Sequence, residues 1–170
     1  MEKMQTLHMG NEQLDHKETW DTDKSLEKAR DFYELGHCYE AGIYLEADIK
    51  KAIQCYRKSA LMGYPPAQNG IGFLHATGKG VPYSEELAIE WFKKAAKAGH
   101  SGAQMNLGVM YSEGRGTKQN NVEALCLFYK AAIAGNHDAQ EFLGHAHEDG
   151  LCGLEKDHKQ AEFWLEQAHR

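Results

Sequence analysis

Proline is scarce, with three in 170 residues, whereas glycine appears seventeen times. Few helix stops are therefore enforced by a ring, and most joints must be made by glycine. Also missing is any cluster of basic side chains. The 19 lysines and arginines are outnumbered by 25 acidic residues, for a net charge of −6. No stripe can track a phosphate backbone, so nucleic acid is not an expected partner, and the mild acidity favours solubility. No apolar run approaches the roughly 20 residues of a membrane-spanning helix, so no membrane insertion is expected. The opening stretch, MEKMQTLHMGNEQLDHKETW, lacks the apolar core of a secretory signal. That points to the cytoplasm, or to a secreted or periplasmic location if a signal peptide has been removed. Cys38, Cys55, Cys126 and Cys152 form no C-x-x-C pair and share no common phase. Free thiols in a reducing compartment are the simplest account, with one adventitious disulfide as the alternative.

What is abundant is regularity. Gly36, Gly72, Gly108 and Gly144 are 36 residues apart, and Gly42, Gly78, Gly114 and Gly150 keep the same spacing. The stretches they bound read GHCYEAG, GFLHATG, GVMYSEG and GHAHEDG. Leu35, Ile71, Leu107 and Leu143 precede the first glycine, and Ala67, Ala103 and Ala139 stand five residues before it, with Asp31 in the first copy. Downstream, CYRKSA, WFKKAA and LFYKAA close on Gly63, Gly99 and Gly135. In the fourth copy the alanine of the second segment is Ala161, one residue late, so LCGLEKDHK carries an insertion. A period of this length is the mark of a repeat architecture.

Each unit reads as two helices. In the second copy Ala67, Ile71, Leu74, His75 and Gly78 share one helical face. Gly78 to Pro82 breaks the chain. A second helix from about Ser84 to Ala98 follows, capped by Ser84, burying Ala88, Trp91, Phe92 and Ala95, and ending at Gly99. A single hairpin cannot cover its apolar stripe, so neighbours must stack. The expected fold class is an all-α solenoid, a right-handed superhelix of about four antiparallel hairpins. The solenoid should occupy residues 25–170, with repeats near 31–66, 67–102, 103–138 and 139–170. Residues 1–24 lie outside the pattern, as a disordered leader or a cap; Leu14, Trp20 and Leu26 favour some packing.

Several local motifs suggest chemistry, and the frame reinterprets each. In GHAHEDG the two histidines stand two apart, so a helix turns them to nearly opposite sides; a helical metal pair needs a spacing of four. His147 shares its phase with Tyr39, His75 and Tyr111, an inward slot, and is expected to be a hydrogen-bonded core residue. His145 shares its phase with His37, Phe73 and Val109, an outward one. No metal and no cofactor are expected. Ser101 in GHSGA lacks the preceding strand of a nucleophile elbow and is expected to cap a helix. Gly78-Lys79-Gly80 lacks the remainder of a phosphate loop.

The pattern A-x3-L-G-x2-Y-x2-G-x-G-V…A…W-Y/F-x-K-A-A-x2-G resembles the SEL-one-like repeat, a relative of the tetratricopeptide repeat, over roughly Ala29 to Arg170. The second copy, with GKGV and AIEWFKKAAKAG, matches best. The first departs at Asp31 and at Tyr44, where a loop glycine is expected. The fourth departs at its insertion and lacks its closing glycine. The resemblance implies a non-enzymatic adaptor or scaffold that binds a peptide or protein, with first helices lining a concave groove. The residues opposite the core would then form that groove: Tyr33, His37 and Glu40; Asn69, Phe73 and Ala76; Met105, Val109 and Ser112; Glu141, His145 and Glu148. The stripe is apolar in the middle and polar or acidic at its ends, which suits an adaptable protein contact. On this basis Phe73 and Met105 should both tolerate substitution without unfolding.

Two other readings stand beside it. Some bacterial relatives are described as β-lactamase-like, and Ser25-x-x-Lys28 matches a serine box, though no S-D-N or K-T-G accompanies it. Alternatively the fourth repeat lacks a closing helix and exposes Phe163 or Trp164 to a twin. A monomer or weak homodimer is the expected state.

Overall fold

The computed structural model describes the backbone of residues 12–170 and the side chains from residue 23 onward. Among the described residues every regular element is helical: α1 (Glu12–Ala41), α2 (Ile49–Leu61), α3 (Pro65–Thr77), α4 (Glu85–Lys97), α5 (Ser101–Glu113), α6 (Asn121–Ile133), α7 (His137–Asp149) and α8 (His158–Ala168), with a 3-10 turn at Leu151–Gly153. The chain divides between Tyr64 and Pro65 into two compact units. The first contains the α1–α2 hairpin. The second contains α3–α4, α5–α6 and α7–α8, joined in series by α4 against α5 and α6 against α7. Residues 1–11, and the side chains of Leu14 and Trp20, lie outside the described residues. From Glu12 the backbone is already helical and runs without a break into the first repeat.

The repeating glycine of each first helix is explained by what faces it. A methyl group at Gly72 would stand 2.7 Å from the Phe92 ring, and one at Gly108 would stand 2.6 Å from the Phe128 ring. Both rings are fully buried. The glycine therefore admits the aromatic ring of the partner helix to the first helix's backbone. In the fourth copy Leu165 replaces the ring and approaches Gly144 as closely.

Around these pairs Ala88, Ile89, Phe92 and Ala95 of α4 pack with Ala103, Leu107 and Met110 of α5 and with Leu127 of α6. Trp91 departs from expectation. It is only half-buried, with the Lys94 ammonium 4.2 Å from its ring centroid, and Ile89 takes the core position instead. The fourth repeat is also corrected. α8 is its closing helix, and Trp164 is buried in a cluster with Phe128, Ala131 and Leu143. Phe163 is the half-exposed ring there.

Hydrogen bonds repeat with the packing. Asp48, Ser84, Asn120 and Asp157 cap the four second helices, each side chain accepting from backbone N–H groups of the first turn. Within the second unit, the Gln104 amide donates to the Ala96 carbonyl at 3.4 Å and the Gln140 amide to the Ala132 carbonyl at 3.0 Å. Each reaches from a first helix back to the end of the preceding second helix, so these buried glutamines latch one hairpin onto the next.

Ser101 is not the cap of α5. His100 is: its Nδ1 accepts from the Ala103 N–H at 3.1 Å, and Asn136 does the same for α7, 36 residues on. Burial lowers the His100 pKa below its ordinary 6.5, so the folded state favours the neutral ring that can accept. The resulting stability is complete above pH 6.5 and is lost as pH falls through the lowered folded value. His100→Asn should install a cap that does not titrate. We expect melting curves of the two proteins to agree within about 1 kcal/mol at pH 7.5, while the variant loses less stability on acidification to pH 5.5. Equal losses would show that His100 does not act as the cap.

The second loop glycine occupies a left-handed slot, with φ of 74° at Gly80 and 63° at Gly116. Tyr44 and Cys152 hold the corresponding positions in the first and fourth copies, at φ 61° and 55°. A side chain in this region is disfavoured by about 1–2 kcal/mol. The backbone requirement thus persists where the glycine has been replaced.

Candidate protein-binding cleft

In the second unit, α3 and α5 face each other across a narrow cleft of about 140 Å³. Phe73, Ala76 and Thr77 form one wall; Asn106, Val109 and Met110 form the other; Phe92 lies beneath and Arg115 at the rim. The cleft exists because small and branched residues stand where two first helices come together. At its side, the Asn106 amide donates to Oδ1 of Asn69 at 3.0 Å, tying the two helices across one repeat. Phe73 is the open part, with 51% of its surface exposed.

The rim is held by charge. Arg115 Nε donates to Oε1 of Glu85 at 2.9 Å, and Tyr83 donates its hydroxyl to the same oxygen at 2.6 Å. These bonds, the tyrosine's first, lower the Glu85 pKa below the usual carboxylate range, and the Glu85 bond raises that of Arg115. Behind them Gly116 lies directly on the Glu85 backbone: a methyl group there would stand 2.8 Å from the Glu85 carbonyl carbon. The loop after α5 is thereby fastened to the start of α4, so the rim does not depend on a free loop.

The structure separates the residues that one sequence phase had grouped. Asn69, Phe73, Ala76 and Val109 come together at the cleft. Met105 is half-buried and packs toward α6 and α7, against the cluster that holds Phe128 and Leu143. Ser112 donates to the Val109 carbonyl of its own helix at 2.9 Å. Glu141, His145 and Glu148 lie exposed along α7, with His145 Nδ1 3.5 Å from Glu148. Tyr33, His37 and Glu40 belong to the first unit, where Tyr33 meets His37 edge-on at 4.7 Å. Phase alone missed Thr77, Phe92, Asn106, Met110 and Arg115, all of which line the cleft. Asn106 stands one position beyond the assumed stripe, and Arg115 lies in the loop.

The histidines of GHAHEDG fall on opposite sides, as their spacing requires. His147 is buried, and its Nε2 is 2.7 Å from the Tyr129 hydroxyl. His75, in the same phase, pairs its Nδ1 with the Pro82 carbonyl at 3.0 Å. Among the described residues no group of three His, Cys, Asp or Glu side chains is placed to hold a metal ion. A wider, open hollow of about 750 Å³ along α8 is lined mainly by polar side chains, Glu148 among them. Ser25 and Lys28 lie exposed within α1, where the surrounding backbone N–H groups are engaged in the helix and cannot form an oxyanion hole.

The Sel1 repeat model matches residues 33–64, 65–100, 101–136 and 137–168. A Sel1 repeat protein from Oxalobacter formigenes superposes with a TM-score of 0.78 at 29% identity, over 83% of this chain and 58% of that one. A protective antigen of uropathogenic Escherichia coli with an SLR fold gives 0.76 at 35% identity, over 88% and 32%. A stretch of 39 residues is 44% identical to DAP3-binding cell death enhancer 1 of Rattus norvegicus, 23% of this chain and 8% of that protein. The chain thus spans 58% or less of these relatives.

Proposed function

The chain belongs to the Sel1 repeat family, whose members generally serve as protein–protein interaction modules, and from that premise we propose that the α3–α5 cleft docks a segment of a partner protein. The observation that carries this reading is Phe73, a half-exposed aromatic beside a cleft of about 140 Å³ with an asparagine pair along it. An apolar cavity of about 150 Å³ accommodates a single benzene-sized group. Small-molecule sites typically start near 300 Å³, so one apolar side chain of a peptide fits better than a cofactor. Phe73 supplies contact area, and Asn69 and Asn106 supply amide groups that suit a passing peptide backbone. The fastened rim keeps the walls in place before binding, which lowers the ordering cost. The protein then acts as an adaptor rather than a hydrolase.

A photoreactive phenylalanine analogue placed at Phe73, or as a control at Val122 of α6, tests the site. Val122 is exposed and takes no part in the cleft. Illumination should give a discrete adduct from position 73 alone, suppressed by excess unlabelled protein. Equal labelling from both positions would overturn the assignment.

A further inference from the structure

The polar side of the α3–α5 cleft restricts the form its occupant can take. The Asn106 amide donates to Oδ1 of Asn69 at 3.0 Å. Two side-chain amides can close a ring of two hydrogen bonds, since each carries donors and an acceptor. Here only one of the two is made. Among the described residues no protein group takes Nδ2 of Asn69 or Oδ1 of Asn106. Asn106 lines the cleft, and both asparagines are half-buried. One donor and one acceptor are therefore left open beside a slot of about 140 Å³.

A second observation comes from Gly70. The other described glycines either have a positive φ or face a packed neighbour. Gly70 does neither: its φ is not positive, and a methyl group there would meet no packed neighbour within 4 Å. Yet it stands inside α3, where glycine weakens a helix relative to alanine. The fold has no use for it. Gly70 shares a face of α3 with Phe73 and Thr77, at spacings of three and seven, and both of those residues line the cleft. It leaves bare backbone one turn before the Phe73 ring, as close approach of another main chain requires.

We infer that the cleft takes an extended segment of the partner, not a helix. One aliphatic side chain enters the slot, and the backbone N–H and C=O of the same residue meet Asn106 Oδ1 and Asn69 Nδ2. In an extended chain those two groups point to the same side, as they do across an antiparallel ladder. One acceptor and one donor can therefore hold both. In a helix the same groups are spent on the helix itself, and a helical partner sets several anchors along a groove, whereas this slot holds one. Bare backbone at Gly70 lets the segment's main chain run close to α3. The inference rests on the reading that the cleft docks a partner and adds the conformation of what is docked.

The test uses the full chain and three leucine probes, with the Phe73 ring and the Asn69 and Asn106 side-chain amides followed by NMR. The first is acetyl-Thr-Leu-Thr-amide, which is short and extended. The second is its depsipeptide, in which oxygen replaces the leucine N–H and the shape is kept. The third is a lactam-bridged alanine-based helix with one exposed leucine. The extended probe should shift Phe73 and both asparagines, with an affinity at least about fivefold above each of the others, as loss of one hydrogen bond implies. Asn106→Ala, checked by melting, should bring amide and ester to equal affinity. Gly70→Ala should leave melting unchanged or raise it while weakening the extended probe at least about fivefold, a pairing that a structural glycine would not give. If no probe shifts Phe73, the docking reading itself fails. If Phe73 responds but the helix or the ester binds as well as the extended amide, the cleft stands and the extended-segment inference is overturned. The same follows if Gly70→Ala leaves affinity intact, or if the amide keeps its advantage over the ester in folded Asn106→Ala.

Discussion

Phe128→Ala is expected to destabilise the protein by about 3–5 kcal/mol, the largest single-site effect on folding that the structure implies. The ring is fully buried. It lies against the backbone opening at Gly108 and contacts Phe142 at 4.2 Å between centroids, so its removal leaves a cavity that the surrounding helices cannot readily fill. Trp91→Ala should cost much less, on the order of 1 kcal/mol, because the indole is half-buried and one face meets the Lys94 ammonium rather than the core. Gly108→Ala should cost about 1–3 kcal/mol by overpacking, since its methyl group would stand 2.6 Å from the Phe128 ring. The two lesions share one space. The double variant Gly108→Ala with Phe128→Ala should therefore lose less than the sum of the singles. Chemical denaturation of the four proteins checks this, and strict additivity would show that the glycine serves some purpose other than admitting the ring.

Which features were legible in sequence follows from how narrowly each position is constrained. Gly72 and Gly108 stand out because no other residue admits a ring to the helix backbone, so the requirement appears directly as residue identity. Trp91 and Ile89 were not separable. Relative to the Ala88–Phe92–Ala95 stripe they stand on opposite flanks, each about 70–90° away at about 100° per residue. Periodicity treats the flanks alike. The neighbour decides, and α5 covers the Ile89 side. The cap of α5 was misplaced by one residue for a related reason: serine is the commoner cap, whereas His100 performs the role through a ring nitrogen. Tyr44 shows the opposite case, in which the backbone keeps a left-handed φ of 61° after the identifying glycine is gone.

The same limit governs the candidate site and leads to its strongest test. Phe73 and Met105 are on corresponding faces of α3 and α5, and phase alone assigned both to one exposed stripe. Their surroundings differ. Phe73 is 51% exposed at the cleft, whereas Met105 packs against the cluster around Phe128. Phe73→Ala should therefore weaken capture of the protein that crosslinks from position 73 by about thirtyfold or more, the effect of losing a contact worth some 2 kcal/mol. Its melting should shift by no more than about 1 kcal/mol equivalent, as for other partly exposed positions. Met105→Glu should behave differently. A carboxylate forced into a half-buried apolar setting is expected to destabilise the fold by about 1–3 kcal/mol, so lost capture there would report damage to the scaffold. Met105→Leu, which keeps volume and polarity, should retain both stability and capture. If Phe73→Ala instead lowers stability as much as Met105→Glu, then Phe73 is packed rather than presented, and the cleft is not a docking surface. If stability and capture both survive Phe73→Ala, the partner is held elsewhere. Loss of capture from a protein with unchanged melting is the one combination that a purely structural role for Phe73 cannot produce.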